Sequence, residues 1–577
     1  MFYLRAILAA LLLATLFSCG GDDVESDVQE GEKPSGDDDD NNDDEGELEE
    51  CPECSIVKVF TTLLKTINPL NETYEKPTDA NPALPKYSDD FLSKGLGEYE
   101  FGEGEAHILK KDLVPDYDET EAEGRKSITM FFHATDIHIT DDEAPIRIAK
   151  MDNTGVGGAI RPQDSYSTHG LDALIRTLKP FSDNGWLDFF LSTGDATDSA
   201  LNTELVMFVD VMNGKKGFNP DTGEDDDPVP GPDNDSKDPF DALGLDIPWY
   251  WVYGNHDVLI VGNSPPTEKS SEKATGTKAA SGTRDWRRNG DVTTGDVPSD
   301  ENRWVGDFGT IAKTLIESAE KPGPKGHGLG EENRENEVYH YVAEPVAGIP
   351  IVLIVMALPD MTGGAEGVLF QKDIDDFLVP ELEKVQAEGK LAIVASHFPS
   401  YKLDTRAGLA GDDLPGAVPG DALVETLNSY PNVIAYIAGH THTNTILAHP
   451  APEGKGEEYG YWEIVTASLL DFPQQARFVE IVYNGDGTGS IFLTLLDYAS
   501  PEGSLAEMGR KLAIIDHVTG WSSETLGDIE NRNAELVFKL SDEMTEKIES
   551  LGIGRDEILS QTSLKAEYEL KIKFPGL

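Results

Sequence analysis

Cysteine is nearly absent from this chain, with three in 577 residues, at positions 19, 51 and 54. Three cannot staple a disulfide scaffold, and no second Cys-x-x-Cys joins Cys51-Pro-Glu-Cys54 to complete a zinc site. No βαβ pattern surrounds the pair, so a thioredoxin-like redox motif is disfavoured as well. Basic residues are scarce too: 46 Lys and Arg stand against 107 Asp and Glu, a formal net charge of −61. Affinity for a phosphate backbone needs clustered cations, so this balance counts against nucleic acid as a partner. Part of the acidic excess follows residue 20, but most is spread along the chain and reads as a solubilising surface. After the N-terminus no apolar run is long enough to span a bilayer. The length suits one large domain with insertions, or two domains.

The N-terminus does not read as part of a fold. Arg5 precedes an apolar run from Ala6 to Leu16 that is too short for a stable membrane anchor. The run leads into Leu16-Phe17-Ser18-Cys19, which resembles the lipobox of bacterial lipoproteins. The resemblance implies a lipoprotein signal peptide over 1–19, lipidated at Cys19. The protein is then exported and lipid-anchored to a bacterial membrane, facing the periplasm or the cell surface. Gly20 rather than Asp follows, so no inner-membrane retention signal is implied. Residues 20–54 are almost devoid of apolar side chains and include Asp37-Asp38-Asp39-Asp40, which predicts a disordered, extended tether. If Cys19 carries lipid, Cys51 and Cys54 form an even pair in an oxidising setting, and a small disulfide is the reading.

Further along, short apolar strands alternate with amphipathic helices. Strands are expected at 127–132, 186–192, 248–253, 391–395 and 433–438, with a hairpin pair at 338–344 and 349–357. Helices are expected at 170–181, 200–212, 304–319, 371–388, 422–430, 503–517 and 530–551. More strands follow at 461–470, 477–483 and 490–496, with Asn484-Gly485 as a turn signal. Polar insertions occupy 141–168, 217–241 and 261–300. In the second, oxygen ligands of the kind calcium takes are dense, but the spacing fits no EF-hand loop and the reading is a solvated loop.

Five short motifs each follow a strand directly. They are Asp136-x-His138, Gly194-Asp195-x-x-Asp198, Gly254-Asn255-His256-Asp257, Ser396-His397 and Gly439-His440-x-His442. On a strand Asp136 and His138 point the same way, and a carboxylate just past a strand–glycine break is placed to bridge two ions. A lone Gly-His-x-His is weak evidence; the ordered set is specific. This set resembles the calcineurin-like metallophosphoesterase superfamily over roughly residues 127–445. The resemblance implies an α/β fold of the four-layer α/β/β/α sandwich type, here with long loop insertions. Residues 127–500 then read as the catalytic domain, 55–126 as an N-terminal extension wrapping it, and 501–577 as a mostly helical C-terminal extension.

The implied activity is hydrolysis of small phosphomono- or diesters by a bridging metal-bound hydroxide at a dinuclear site. Two metals about 3.5–4 Å apart acidify a bridging water and clamp the phosphoryl oxygens. The mixed His, Asp and Asn donors suit Mn, Fe or Zn better than Ca. By the resemblance, Asp136, His138 and His442 hold one ion and Asn255, His397 and His440 the other, with Asp195 bridging. His256 stabilises or protonates the leaving group, Asp198 orients it, and Asp257 plays a supporting role. Thr197 stands where purple acid phosphatases have a tyrosine ligand, and no arginines occupy the phosphate-binding positions of Ser/Thr protein phosphatases. The pattern is closer to the bacterial phosphodiesterase-type branch. Substrate contacts stay open, with Arg147, Arg161, Arg284 and Arg406 as candidates from loops. Two alternatives are carried: a nuclease or nucleotide pyrophosphatase on the same fold, and a non-catalytic surface-anchored binding lipoprotein. The latter would be expected to have lost ligands, and none is lost.

Overall fold

Apolar runs bounded by glycine or polar residues form the strands of two large sheets. The computed structural model describes residues 54–577 apart from 72–79, 119–123, 153–157, 224–226, 286–290, 319–320, 408–410 and 522–524. The expected signal peptide, the lipidation site Cys19, nearly all of the tether and Cys51 lie outside the described residues. Cys54 is disulfide-bonded. In chain order the strands are β1 (Ile108–Lys110), β2 (Lys126–Ala134), β3 (Phe189–Ser192) and β4 (Trp249–Trp251). Next come β5 (Tyr341–Ala343), β6 (Ile351–Val355), β7 (Leu391–Ala395) and β8 (Val433–Ala438). The last are β9 (Thr445–His449), β10 (Tyr461–Val465), β11 (Gln475–Tyr483), β12 (Thr488–Asp497) and β13 (Ala534–Lys539).

The first sheet is seven-stranded in the order β1-β13-β12-β11-β2-β3-β4, and the second six-stranded in the order β5-β6-β7-β8-β10-β9. Strands β2, β3 and β4 run parallel, as do β6, β7, β8 and β10. The expected hairpin pair is present, with β5 antiparallel to β6.

Alternation along the strands sorts the core. Ile351, Leu353, Val355, Leu391 and Ile393 join one apolar cluster with Phe131, Leu191, Phe478 and Leu493 of the first sheet. Their neighbours Val352, Ile354, Ala392 and Val394 face the other way. There they meet Leu382 and Val385 of the helix Val379–Ala387 and Leu423 and Leu427 of the helix Gly420–Leu427. A strand covered on both faces must be apolar throughout, which explains why these runs carry no polar residue. The helices Ser167–Asp183 and Asn202–Met212 pack on the first sheet. From them Phe181 lies 4.8 Å from Phe478, and Phe208 lies 5.4 Å from Trp251, measured between ring centroids.

The structure revises three local expectations. Residues 530–551 are not one helix: β13 joins the first sheet antiparallel to β12, and a helix follows only over Asp542–Leu551. The apolar triplet Leu536-Val537-Phe538 suits either period, and burial on both sheet faces decides for the strand. The helix expected at 371–388 forms, but a π-helical segment over Ile374–Leu378 precedes Pro380, which has no N–H to donate. The loop 217–241 is not simply solvated. Its Lys237, partly covered, pairs with Asp142 at 2.9 Å and Glu143 at 2.6 Å, and Asp235 and Asp238 are buried. Among the described residues no helix is long and apolar enough to cross a membrane.

Leu536 tests the revised C-terminal region. It is fully buried in β13, so Leu536→Ala should cost about 2–5 kcal/mol in a denaturant titration of the whole chain. A change below about 0.5 kcal/mol, as expected of a surface substitution, would contradict the placement.

Candidate metal centre

The five motifs leave the carboxyl ends of β2, β3, β4, β7 and β8, where parallel sheets build their sites. Tight turns follow the strands. Asp136, His138, Asp195, His440 and His442 all have positive φ, between 48° and 70°, in the left-handed region that non-glycine residues rarely occupy. Such strain collects where a site over-determines the backbone. Gly439 lets the loops approach closely: a Cβ there would lie 1.9 Å from Thr135 Oγ1 and 2.6 Å from Asp136 Oδ2. The backbone N–H of His440 then donates to Asp136 Oδ2 at 2.9 Å.

The expected ligands converge. Asp136 Oδ1 lies 3.2 Å from His442 Nε2 and 3.9 Å from both His138 Nε2 and His397 Nε2. Asp195 Oδ2 lies 3.1 Å from His397 Nε2 and 3.9 Å from His138 Nε2, so one carboxylate oxygen faces imidazoles on both sides. Two donor triads share this arrangement, Asp136–His138–His442 and Asp195–His397–His440, each gathered within 4.8 Å. A third triad of the same tightness, His138–Asp195–His256, overlaps the first two. Asn255 donates its amide N–H to the carbonyl of Gly262 at 3.0 Å, which leaves its Oδ1 as the available donor atom.

His256 and Asp198 do not pair as simply as the sequence implied. His256 Nδ1 donates to the backbone carbonyl of Asp198 at 2.6 Å, while the Asp198 carboxylate lies 3.4 Å from His138 Nδ1 and 3.8 Å from His256 Nδ1. A carbonyl can only accept, so Nδ1 of His256 carries the proton there and Nε2 is the working nitrogen. Asp257 holds the motif loop together. Its two oxygens accept the backbone N–H groups of Asp195, Ala196, Thr197 and Gly254 at 2.8–3.0 Å.

All four arginines that were candidates for substrate contact are paired with carboxylates, three of them buried. Arg147 and Arg161 are buried and pair with Asp164 at 2.6 Å and Asp471 at 2.8 Å, respectively; both also approach Asp198. Arg284 is buried beside Asp142. Arg406 is exposed and pairs with Asp404. Sequence reasoning also missed Asp471, whose Oδ2 lies 2.7 Å from His442 Nδ1, and Glu366, 3.8 Å from His440 Nε2. No local motif marks either one.

The residues fit divalent ions. Asp136 Oδ1, Asn255 Oδ1 and His397 Nε2 are buried with no hydrogen-bond partner, a costly arrangement that a cation among them relieves. The electrostatics push neighbouring groups apart, as at functional sites generally. Burial depresses His440 to about 3 and His138 to about 4. Burial also acts on His397 and His442, but adjacent carboxylates prevail: Asp195 and Asp136 push His397 up to about 9, and Asp136 with Asp471 pushes His442 up to about 10. A further carboxylate trio, Asp227, Asp235 and Asp238, also meets the distance limit. Oxygens of all three accept backbone N–H groups, including those of Gly231, Val229 and Asn234.

Fold and donor set together define a metal-dependent hydrolase of phosphoesters. The profile of the calcineurin-like phosphoesterase family matches residues 129–444, more than half of the chain, and the chain belongs to that family. No curated protein matches it. Among solved structures the chain is similar to a dimetal phosphatase from Danio rerio. That pair shares 10% identity and a TM-score of 0.33, over 64% of this chain and 99% of the other.

Two outcomes test the geometry. Asp257→Ala removes the acceptor for four buried amides and should cost about 1–3 kcal/mol for each one left unsatisfied, read from the thermal midpoint of the full chain. Gly439→Ala places a methyl against Thr135 and Asp136 and should lower transition-metal binding; undiminished metal content in purified protein would contradict the close approach.

Proposed function

We propose that this protein hydrolyses small phosphomono- or diesters with two divalent transition ions, of the Mn, Fe or Zn type, held at the converging loops. The observation that carries the reading is Asp195 Oδ2, which faces His138 on one side and His397 on the other. In this reading Asp136, His138 and His442 hold one ion, Asn255, His397 and His440 the second, and Asp195 reaches both. Bound there, the ions supply Lewis acidity toward the phosphoryl oxygens and an acidified water as nucleophile. The chain's residues do the rest. The side chains of His256 and His442, 16% exposed, and His440, 10% exposed, border the opening through which an ester enters. His256 in its imidazolium form, its Nδ1 proton fixed on the Asp198 carbonyl, gives the proton on Nε2 to the oxygen of the departing alcohol and is left neutral with Nδ1 still protonated.

The N-terminal motif supports a second part of the proposal: the enzyme is exported and anchored through lipid at Cys19, with Cys51 and Cys54 as a disulfide pair. On the membrane the acidic tether would hold the catalytic unit away from the surface and within reach of soluble esters.

The test is elemental analysis of purified full-length protein combined with a panel of chromogenic mono- and diesters. About two transition ions per chain and ester hydrolysis are expected. Asp195→Ala should lose metal and activity together, whereas His256→Ala should keep its metal and lose about 10²–10⁴-fold in kcat. Metal-loaded protein inert across the panel, or unaffected by both substitutions, would sink the reading. Preferential cleavage of oligonucleotides would move the substrate to nucleic acid.

A further inference from the structure

The insertion between β2 and the helix Ser167–Asp183 is the least explained part of the site. It is polar in sequence, yet Asp141, Asp142, Glu143, Arg147, Arg161, Gln163 and Asp164 are all buried. Two of its arginines run behind the metal centre. Arg161 Nε lies 2.8 Å from Asp471 Oδ1 and its Nη1 lies 3.8 Å from Asp198 Oδ1. Arg147 Nη1 lies 3.5 Å from Asp198 Oδ2, and its Nη2 donates to Asp164 Oδ2 at 2.6 Å. Those carboxylates in turn face imidazoles, with Asp471 Oδ2 2.7 Å from His442 Nδ1 and Asp198 Oδ1 3.4 Å from His138 Nδ1.

The result is a chain of alternating charge, His442–Asp471–Arg161–Asp198–His138, that joins the far nitrogens of two ligands of one ion. Gln163 adds an N–H to Asp471 Oδ1 at 3.3 Å, and Ser468 Oγ, which donates to the Asp136 carbonyl at 2.7 Å, accepts the N–H of Asp471. The other ion's imidazoles are backed differently. His397 Nδ1 donates to the Thr193 carbonyl at 2.8 Å, and among the described residues the carboxylate facing His440 is the half-exposed Glu366 at 3.8 Å.

Resting on the two-ion reading above, we propose that the 141–168 insertion is a positioning device for one metal site alone, with Arg161 and Asp471 as its positioning residues. A carboxylate on the far nitrogen fixes the imidazole's tautomer and plane and makes the metal-facing nitrogen a stronger donor. Two neighbouring buried carboxylates would repel each other, and a planar guanidinium between them holds both in place.

The experiment is titration of metal-depleted full-length protein with Mn²⁺, resolving the affinity of each ion, for wild type, Asp471→Asn, Arg161→Gln and Arg161→Lys. Asp471→Asn keeps the side-chain volume and should weaken one ion by about 10–100-fold while leaving the other unchanged. Arg161→Gln should weaken the same ion, and Arg161→Lys should restore part of the loss by returning the charge. Should Arg161→Gln fail to fold, the isosteric Asp471→Asn still decides. Equal weakening of both ions, or no weakening, would overturn the inference while leaving the two-ion site standing. Wild-type protein that takes up no Mn²⁺ would overturn both.

Discussion

Two buried carboxylates, Asp136 and Asp195, placed among four imidazoles, set the terms for the rest of this molecule. Acceptors and ring nitrogens so removed from water are expensive unless a cation lies among them. The fold organises itself around that demand. Parallel strands from two sheets bring five loops to one place, and glycines with no room for a Cβ let the loops touch. Five donor residues accept left-handed backbone, and Asp257 ties two of the loops together through four amides. The apolar core pays for this strain by supplying burial that the site itself cannot.

The charge balance looks paradoxical for an enzyme of anionic esters. An acidic surface repels such substrates, and the buried arginines nearest the site are engaged by carboxylates and offer the ester no charge. In the proposed reading, attraction is local and comes from divalent ions held at the cluster. Arg147 and Arg161 lie one step back from the cluster, facing Asp198 and Asp471. The polar insertions, which in sequence read as loops, are the source of those arginines and are pinned by Lys237 and Arg303 to the buried Asp141–Glu143 segment.

What could be read in the sequence, and what could not, follows from the range of each interaction. The candidate ligands were legible because each sits in a motif of two to five residues fixed to a strand end, and the structure brings Asp136, His138, Asp195, His397, His440 and His442 together. The carboxylate behind His442 was not, because Asp471 lies 29 residues away and its partner Arg161 a further 310 positions upstream. Only the folded chain makes them neighbours. The ends of the apolar runs were legible at β7 and β8, which lead into Ser396-His397 and Gly439-His440. The strand over Ala534–Lys539 was not, because its three adjacent apolar residues satisfy a helix as readily, and burial against β12 decides. Arg147, Arg161 and Arg284 stood as candidates for substrate contact because sequence gives charge but not pairing.

Anomalous diffraction from crystals grown with Mn²⁺ or Zn²⁺ tests the central claim most directly. The account predicts two peaks about 3.5–4 Å apart, flanking Asp195, one beside Asp136 and His442 and the other beside Asn255 and His397. A single peak, or ions found only at the Asp227–Asp235–Asp238 trio, would contradict it.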